Sequence, residues 1–267
     1  YGMSVPPRNL FKCKSCGRQF SVNKGIIFED SKIPLRTWIM VMYRMCSSKK
    51  GVSAHQIHRE FGVFYEAAWF MCHRIRYAMQ DKNPSILTGT IEADETYIGP
   101  RRRRGQPMYH ERVQDEIQMG LRPKPQKGHW TKEGKAIVFG MVERGGKVQT
   151  TKVADTKSST LRPLMIRHID IKNSRLVTDA NPAYRSIRRY LPHDVIQHEL
   201  EYVRGDVHTQ NIDSYWSTLK RGLYGTFHHV GGQFLGCYLN EFEFRFNRRK
   251  IADVERFYAL VGSVEGR

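Results

Sequence analysis

The sequence lacks any apolar run long enough to cross a bilayer, which takes about 20 residues, and it lacks a recognisable secretory signal. Cysteine is also scarce, with five residues, of which only Cys13 and Cys16 lie close together. That spacing does not make a disulfide framework. These absences predict an intracellular protein with no membrane span and no structural disulfide bonds.

Acidic residues are the minority charge. The chain has 26 Asp and Glu against 44 Lys and Arg, a formal net charge of +18. This balance predicts a polyanionic partner, and nucleic acid rather than a membrane, because no basic amphipathic or lipid-anchor signal accompanies it. Residues 1–86 hold 14 basic and five acidic residues, so half of the net charge lies in the N-terminal region. The alternative is a basic surface that is merely solvated.

A second Cys-x2-Cys pair is missing as well. Cys13 and Cys16, in "FKCKSCGRQFSV", form half of a zinc ribbon over residues 1–28, since tetrahedral zinc takes four ligands. The sequence begins at Tyr1 rather than Met, and zinc binding by these two thiols depends on an upstream pair. The remaining cysteines are predicted to be buried thiols of the core: Cys46, Cys72 and Cys237.

Residues 29–82 are predicted to be helical. "EDSKIPLRTWIMVMYRM" places Leu35, Trp38, Ile39, Met42 and Met45 on one helical face. After it, "VSAHQIHREFGVFYEAAWFMCHRIRYAM" predicts two helices broken near Gly62. A short helix, a turn containing glycine and a longer helix fit a helix-turn-helix that binds DNA. Any helical hairpin would give the same pattern, so that alternative stays open.

Residues 90–260 predict an α/β domain with a mixed sheet of the ribonuclease H kind. The order is strand, hairpin at Gly145-Gly146, helix, strand, helix, strand, helices. Asp94 lies on the first strand, Asp179 ends the fourth, and Asp213 lies near the start of a later helix. Three carboxylates from separate elements can converge and hold two divalent cations for phosphoryl transfer.

Each aspartate also has a simpler interpretation. Asp179 precedes "ANPAY" and could cap a helix. Asp213 could be a favourable charge in a first helical turn. Asp94 is the hardest to explain this way, because flanking acids in a strand are unfavourable without a counter-charge. The combination within a basic chain is more informative than any one acid.

Six stretches together resemble the ISXO-like insertion-sequence transposases, bacterial DDE enzymes related to the eukaryotic Merlin elements. They are the helical stretches already quoted, "IEADETYIG", "VTDANPAY" and "HTQNIDSYWSTLKRGLYGTFHHV" with "YLNEFEFRFNRRK". The resemblance implies a zinc ribbon, a helical DNA-binding segment and a ribonuclease H-like catalytic domain. It also implies a location in the bacterial cytoplasm or nucleoid, or in the nucleus of a eukaryotic host.

By this resemblance Asp94 and Asp179 are the first two catalytic acids and ligands of Mg²⁺ or Mn²⁺, two ions per site. The third position is usually Glu, sometimes Asn, with Lys seven residues later. Here Asp213 holds that place, because Lys220 lies seven residues beyond it. Asp is one methylene shorter than Glu, and Asn211 is a weaker candidate ligand. Glu92 and Glu95 need not bind metal, and strand alternation predicts that Glu95 faces away from Asp94.

The predicted DNA contacts are basic residues near the acids, whose phosphate contacts add salt-dependent affinity without sequence information. The predicted reaction cuts element ends at their terminal inverted repeats and joins the 3′-hydroxyls to target DNA, in a dimer or larger synaptic assembly. Two rivals stay open: a nuclease of the same fold that does not join DNA, and a catalytically decayed DNA-binding protein. The DNA-contact candidates are Arg101, Arg102, Arg103, Arg104, Lys220, Arg221, Arg248 and Arg249.

Overall fold

The structure is a computed structural model that describes residues 10–21, 23–99, 118–119, 135–196 and 204–264. The chain forms two compact units. One contains the chain up to Gln80 together with the segment from Arg248 onward, and the other is Asp81–Asn247. The sequence places the end of the catalytic domain at residue 260, whereas this compact unit ends at Asn247. Within the described residues, no helix is both long enough and apolar enough to cross a membrane.

In its described residues, the first unit combines a two-stranded hairpin with four helices. Helix α2 begins where the Ser53 hydroxyl accepts a hydrogen bond from the Gln56 N–H, and it ends at Gly62, whose φ of 66° is left-handed. The break predicted near Gly62 is therefore confirmed. The elements are β1 (Phe11–Lys12), β2 (Gln19–Phe20), α1 (Leu35–Ser47), α2 (Ala54–Phe61), α3 (Tyr65–Ala78) and, after the second unit, α7 (Asp253–Val261).

The second unit is built on a five-stranded mixed sheet in the order β5-β4-β3-β6-β7. Strand β4 runs antiparallel to both of its neighbours, and the other strands are parallel to one another. The predicted mixed α/β sheet and its Gly145 hairpin are confirmed. The strands are β3 (Leu87–Ile98), β4 (Ala136–Glu143), β5 (Val148–Val153), β6 (Ile169–Thr178) and β7 (His193–Val195).

Helices cover both faces of this sheet. Ile91 and Ala93 of β3 face a core shared with α4 (Ser158–His168) and a 3-10 helix (Pro182–Arg189). Ile98 faces the opposite core, which contains α5 (Gln210–Gly225) and α6 (Leu235–Asn247). Strand alternation therefore places Glu92 and Asp94 on the face covered by α5 and α6.

Helix α6 also closes the open edge of β5. The Asn247 side chain accepts a hydrogen bond from the Val148 N–H at 2.7 Å and donates one to the Val148 carbonyl at 2.9 Å. Glu243 accepts from the Thr150 N–H at 2.6 Å. These side chains occupy backbone groups that would otherwise offer a pairing edge to another chain.

Candidate active site

Asp94 and Asp179 are neighbours because their strands are parallel and in register. Ala93 of β3 pairs with Thr178, the last residue of β6. The next residue in each case is an aspartate: Asp94 lies within β3, opposite Gly140 of β4, and Asp179 directly follows β6, so the two acids are neighbours on adjacent central strands. The hydrogen-bonded pairing of β3 with β6 holds both residues, which fixes this part of the site.

Helix α5 contacts Asp94 through a tryptophan. The Trp216 indole Nε1 donates a hydrogen bond to Asp94 Oδ2 at 3.0 Å. The ring reaches this position because Gly140 pairs with Asp94 on β4 and has no side chain. A Cβ at Gly140 would lie 2.5 Å from the Trp216 ring. Trp216 is buried, and no pattern in the sequence links it to Asp94.

Asp213 approaches from the first turns of α5 and is exposed to solvent. The Thr209 hydroxyl, at the N-terminal boundary of the helix, donates to Asp213 Oδ2 at 3.1 Å. Asp213 is close enough to Asp94 for its negative charge to raise the pKa of Asp94. Asp94, within β3, is thus within electrostatic reach of both Asp179, which follows β6, and Asp213, on α5.

The surroundings of Asp94 and Glu95 disfavour their negatively charged forms. The pKa of Asp94 is raised to about 6; burial is the largest cause and the charges of Asp179 and Asp213 add to it, while hydrogen bonds from the Glu95 backbone and Trp216 oppose it. The pKa of Glu95 is raised to about 7, chiefly by burial and further by Asp94 and Asp179, against the effect of the Tyr184 hydroxyl. A bound cation would relieve this repulsion.

Glu95 is linked to Asp179 through Asn181. The Asn181 N–H donates to Asp179 Oδ1 at 3.1 Å, and its amide Nδ2 donates to Glu95 Oε1 at 3.1 Å. Asn181 Oδ1 also accepts from the Ala183 N–H at 3.0 Å, which caps the 3-10 helix. Asn181, a residue that sequence reasoning did not single out, therefore orients both acids.

The donor set suits a hard divalent cation, since carboxylate oxygens are the ligands that such ions prefer. In the part of the chain that the structure describes, no three His, Cys, Asp or Glu side chains are already gathered tightly enough to hold one metal ion. The three aspartates lie near one another, but their carboxylates do not surround a single point: Asp94, Asp179 and Asp213. Asn211, the weaker candidate ligand, donates its side-chain Nδ2 and its backbone N–H to Glu92, each at 2.8 Å.

The candidate DNA contacts fall in different places. Lys220 is half-buried and Arg221 exposed on α5, and Arg221 donates to the Ser217 carbonyl at 3.2 Å. Arg248 and Arg249 follow α6 and belong to the other compact unit. The predicted contacts Arg101, Arg102, Arg103 and Arg104 lie outside the described residues.

Cys13 and Cys16 lie in the turn between β1 and β2. The Cys13 N–H donates to the Arg18 carbonyl, the Gly17 N–H donates to the Cys13 carbonyl, both at 2.9 Å, and Gly17 has a left-handed φ of 70°. Hydrogen bonding from the Cys16 backbone lowers the pKa of the Cys13 thiol, helped by the Cys16 side chain. A lowered thiol pKa favours the thiolate that a metal requires.

Comparison with known families identifies the second unit. The profile of the ISXO2-like transposase domain matches residues 86–247, which is more than half of the chain, and the chain belongs to this family. The resemblance drawn from the sequence is confirmed: this is a transposase of the insertion-sequence type.

The protein is also similar to an uncharacterized protein in transposable element ISH50 of Halobacterium salinarum. The two are 28% identical over 244 residues, which cover 88% of this chain and 77% of the relative.

Similar solved structures are more distant. A simian T-cell lymphotropic virus intasome in complex with PP2A regulatory subunit B56 gamma is 11% identical, with 75% of this chain and 66% of the other covered and a TM-score of 0.33. A pre-cleavage Mos1 transpososome is 12% identical, with 90% and 82% covered and a TM-score of 0.31. Scores this low do not establish a common fold.

Proposed function

We propose that this protein cuts DNA at the ends of its own element and joins the resulting 3′-hydroxyls to target DNA, using Asp94, Asp179 and Asp213 to bind two Mg²⁺ or Mn²⁺ ions. The observation that carries the proposal is the meeting of these acids, from β3, the end of β6 and α5, in a domain of the transposase family. The sheet would then be a ribonuclease H-like scaffold.

Two divalent cations would supply activation of the attacking oxygen and stabilisation of the leaving oxygen in phosphoryl transfer. The chain's own contribution is to hold the oxygen ligands. Asp94 lies within β3 and Asp179 directly follows the parallel strand β6, so these two acids provide the rigid part. Asp213 is exposed on a helix and shorter than the usual Glu, so its approach depends on the position of α5.

Basic residues around this site would bind the DNA backbone. Lys220 and Arg221 lie on α5 about two turns beyond Asp213, where they can contact phosphates flanking the cut. Arg248 and Arg249, and the arginines at 101–104, would add further contacts.

In the other compact unit, α2 and α3 would act as a helix-turn-helix, and the Cys13–Cys16 turn would supply two of the four ligands of a zinc ion. Two ends cut in concert require at least a dimer on paired-end DNA, measurable by light scattering.

The test is a strand-transfer assay with end-labelled element DNA and a target plasmid. Wild-type protein with Mg²⁺ is expected to give a joined product, and Asp94→Asn to give none while still binding DNA. Cleavage without joining would indicate a nuclease instead. Strand transfer by Asp94→Asn at the wild-type rate would refute the proposal.

A second candidate is a DNA-binding protein whose catalytic site has decayed, favoured by the short Asp213 at the third position. It predicts DNA binding that weakens with salt and is indifferent to Mg²⁺.

A further inference from the structure

The start of helix α5 is capped by a residue from a different part of the chain. The side chain of the boundary residue Thr209 accepts no capping hydrogen bond from the helix, and its hydroxyl instead donates to Asp213. The free N–H groups of Asn211 and Ile212 donate to Glu92 Oε2 at 2.8 and 3.1 Å. A carboxylate at this position satisfies two unpaired donors and faces the positive end of the helix dipole.

Glu92 has no acceptor capacity left for a metal. Besides the two backbone donors, its Oε1 accepts from Arg144 Nε at 2.8 Å and from Asn211 Nδ2 at 2.8 Å. A carboxylate offers about four acceptor sites, and all are taken. The Glu92 side chain is 0% exposed. Although Glu92 lies in the same acidic stretch as Asp94, its hydrogen bonds give it a structural role.

Arg144 extends this contact to the segment that leads into α5. From the β4–β5 hairpin, its guanidinium donates to Asp206 Oδ1 at 2.6 Å and to the His208 carbonyl at 2.9 Å. Glu92 and Arg144 together therefore hold both the approach to the helix and its first turn. We call these two residues the α5 clamp.

We infer that the α5 clamp is the device that positions Asp213 against Asp94. Glu92 and Asp94 lie two residues apart on one face of β3, so a single strand provides the first acid and holds the helix that provides the third. Asp213 directly follows Ile212, whose N–H is bound by Glu92. One turn later, Trp216 contacts Asp94 itself. This inference rests on the proposed function, since it assumes that Asp213 binds metal.

The test measures Mn²⁺ affinity by calorimetry on the full chain in the presence of a short DNA duplex. Glu92→Gln places an amide N–H₂ against the donors of Arg144 or the helix. We expect it to weaken Mn²⁺ binding by about 10- to 100-fold, the usual effect of losing a group that orients a ligand. The charge-retaining Glu92→Asp is expected to give a smaller loss and serves if Glu92→Gln does not fold.

A double-mutant cycle separates positioning from general damage. Asp213→Asn is expected to weaken but not abolish binding, because Asp94 and Asp179, the two acids held by the central strands, remain. If Glu92 acts through Asp213, then Glu92→Gln with Asp213→Asn will bind Mn²⁺ as Asp213→Asn alone does, within about twofold. The matched control is Asp155→Asn. Asp155 also accepts hydrogen bonds at the start of a helix, α4, and its loss should lower thermal stability and leave Mn²⁺ affinity unchanged.

The clamp would be overturned if folded Glu92→Gln or Glu92→Asp bound Mn²⁺ with wild-type affinity. It would also be overturned if the losses of Mn²⁺ affinity caused by Glu92→Gln and by Asp213→Asn multiplied in the double variant. The proposed function would survive either result if Asp179→Asn still abolished binding. Failure of the wild type to bind Mn²⁺ with DNA present would overturn both.

Discussion

At Gly140, a hydrogen atom stands where any other residue would place a side chain against the Trp216 ring. The strand therefore lets the indole lie over it and donate to Asp94. Sequence alone shows Gly140 only as a glycine inside a strand, a pattern that signals a close approach without naming its partner. The identity of that partner, 76 positions away in the printed sequence, comes from the fold.

Gly140→Ala should displace Trp216, since the new Cβ would lie 2.5 Å from its ring and 3.2 Å from Ile212 Cδ1. We expect a loss of about 1–3 kcal/mol in the free energy of unfolding, as for other overpacked sites. Weaker Mn²⁺ binding should accompany it, because the Asp94 hydrogen bond is lost. Urea unfolding and calorimetry measure the two effects.

The control is Gly236→Ala in α6, where an added Cβ meets nothing within 4 Å. That change should stabilise the protein by about 0.5–1 kcal/mol, because alanine favours a helix. Equal stability of the Gly140→Ala variant and the wild type would contradict the close packing described for Trp216.

Among the elements, those with strong local signals were predicted best. The pair α2 and α3, the Gly145 hairpin and the strands bearing Asp94 and Asp179 follow from periodicity and turn residues, and the structure confirms them. The segment at Pro182–Arg189 is a 3-10 helix where an ordinary helix was predicted.

Helix α1 shows where local signals fail. Leu35 and Ile39, predicted for its buried face, are 43% and 42% exposed, whereas Val41 is fully buried. The buried face depends on which elements pack against α1. One of them is α7, more than 200 residues later, where Phe257 contacts Tyr43 edge to face with ring centroids 5.8 Å apart. The sequence did not reveal the contacts of Glu92 and Arg144 with α5 for the same reason. No spacing rule links a strand to the start of a distant helix.

The contact between α6 and β5 should make the stability of the protein depend on pH. Burial raises the pKa of Glu243 to about 7, although hydrogen bonds from Thr150 oppose the shift. The folded state thus holds a proton that the unfolded chain releases near its ordinary value of 4.5. Glu243 therefore favours folding at pH 4 and progressively less as the pH rises from 4.5 to 7. Asp94 and Glu95, whose pKa values are also raised, act in the same direction.

Glu243→Gln should remove this share of the pH dependence, because glutamine can still accept from Thr150 and carries no charge. We expect the variant to be more stable than the wild type at pH 8, by something of the order of 2 kcal/mol, and to differ little at pH 4. Urea midpoints at both pH values measure this. A variant that is less stable than wild type at pH 8 would show that the Glu243 charge supports the edge of β5 instead.

At the scale of the whole molecule, the excess of positive charge and the group of neighbouring acids can be explained together. A net charge of +18 attracts a polyanion, while Asp94, Asp179 and Asp213 repel one another. Divalent cations would reconcile the two, because they neutralise the carboxylates and bind phosphate oxygens. We therefore expect metal affinity and DNA affinity to increase together, and metal binding to be strongest with DNA present.

The most direct test is a Mn²⁺ titration by calorimetry, on wild type beside Asp179→Asn, each with and without a DNA duplex. Asp179 is the right position because it ends a central strand, and its replacement keeps an amide that can still accept from the Asn181 N–H. The account predicts Mn²⁺ binding by the wild type with DNA and its loss in Asp179→Asn. Absence of binding by the wild type even with DNA, or equal binding by the two proteins, would contradict it.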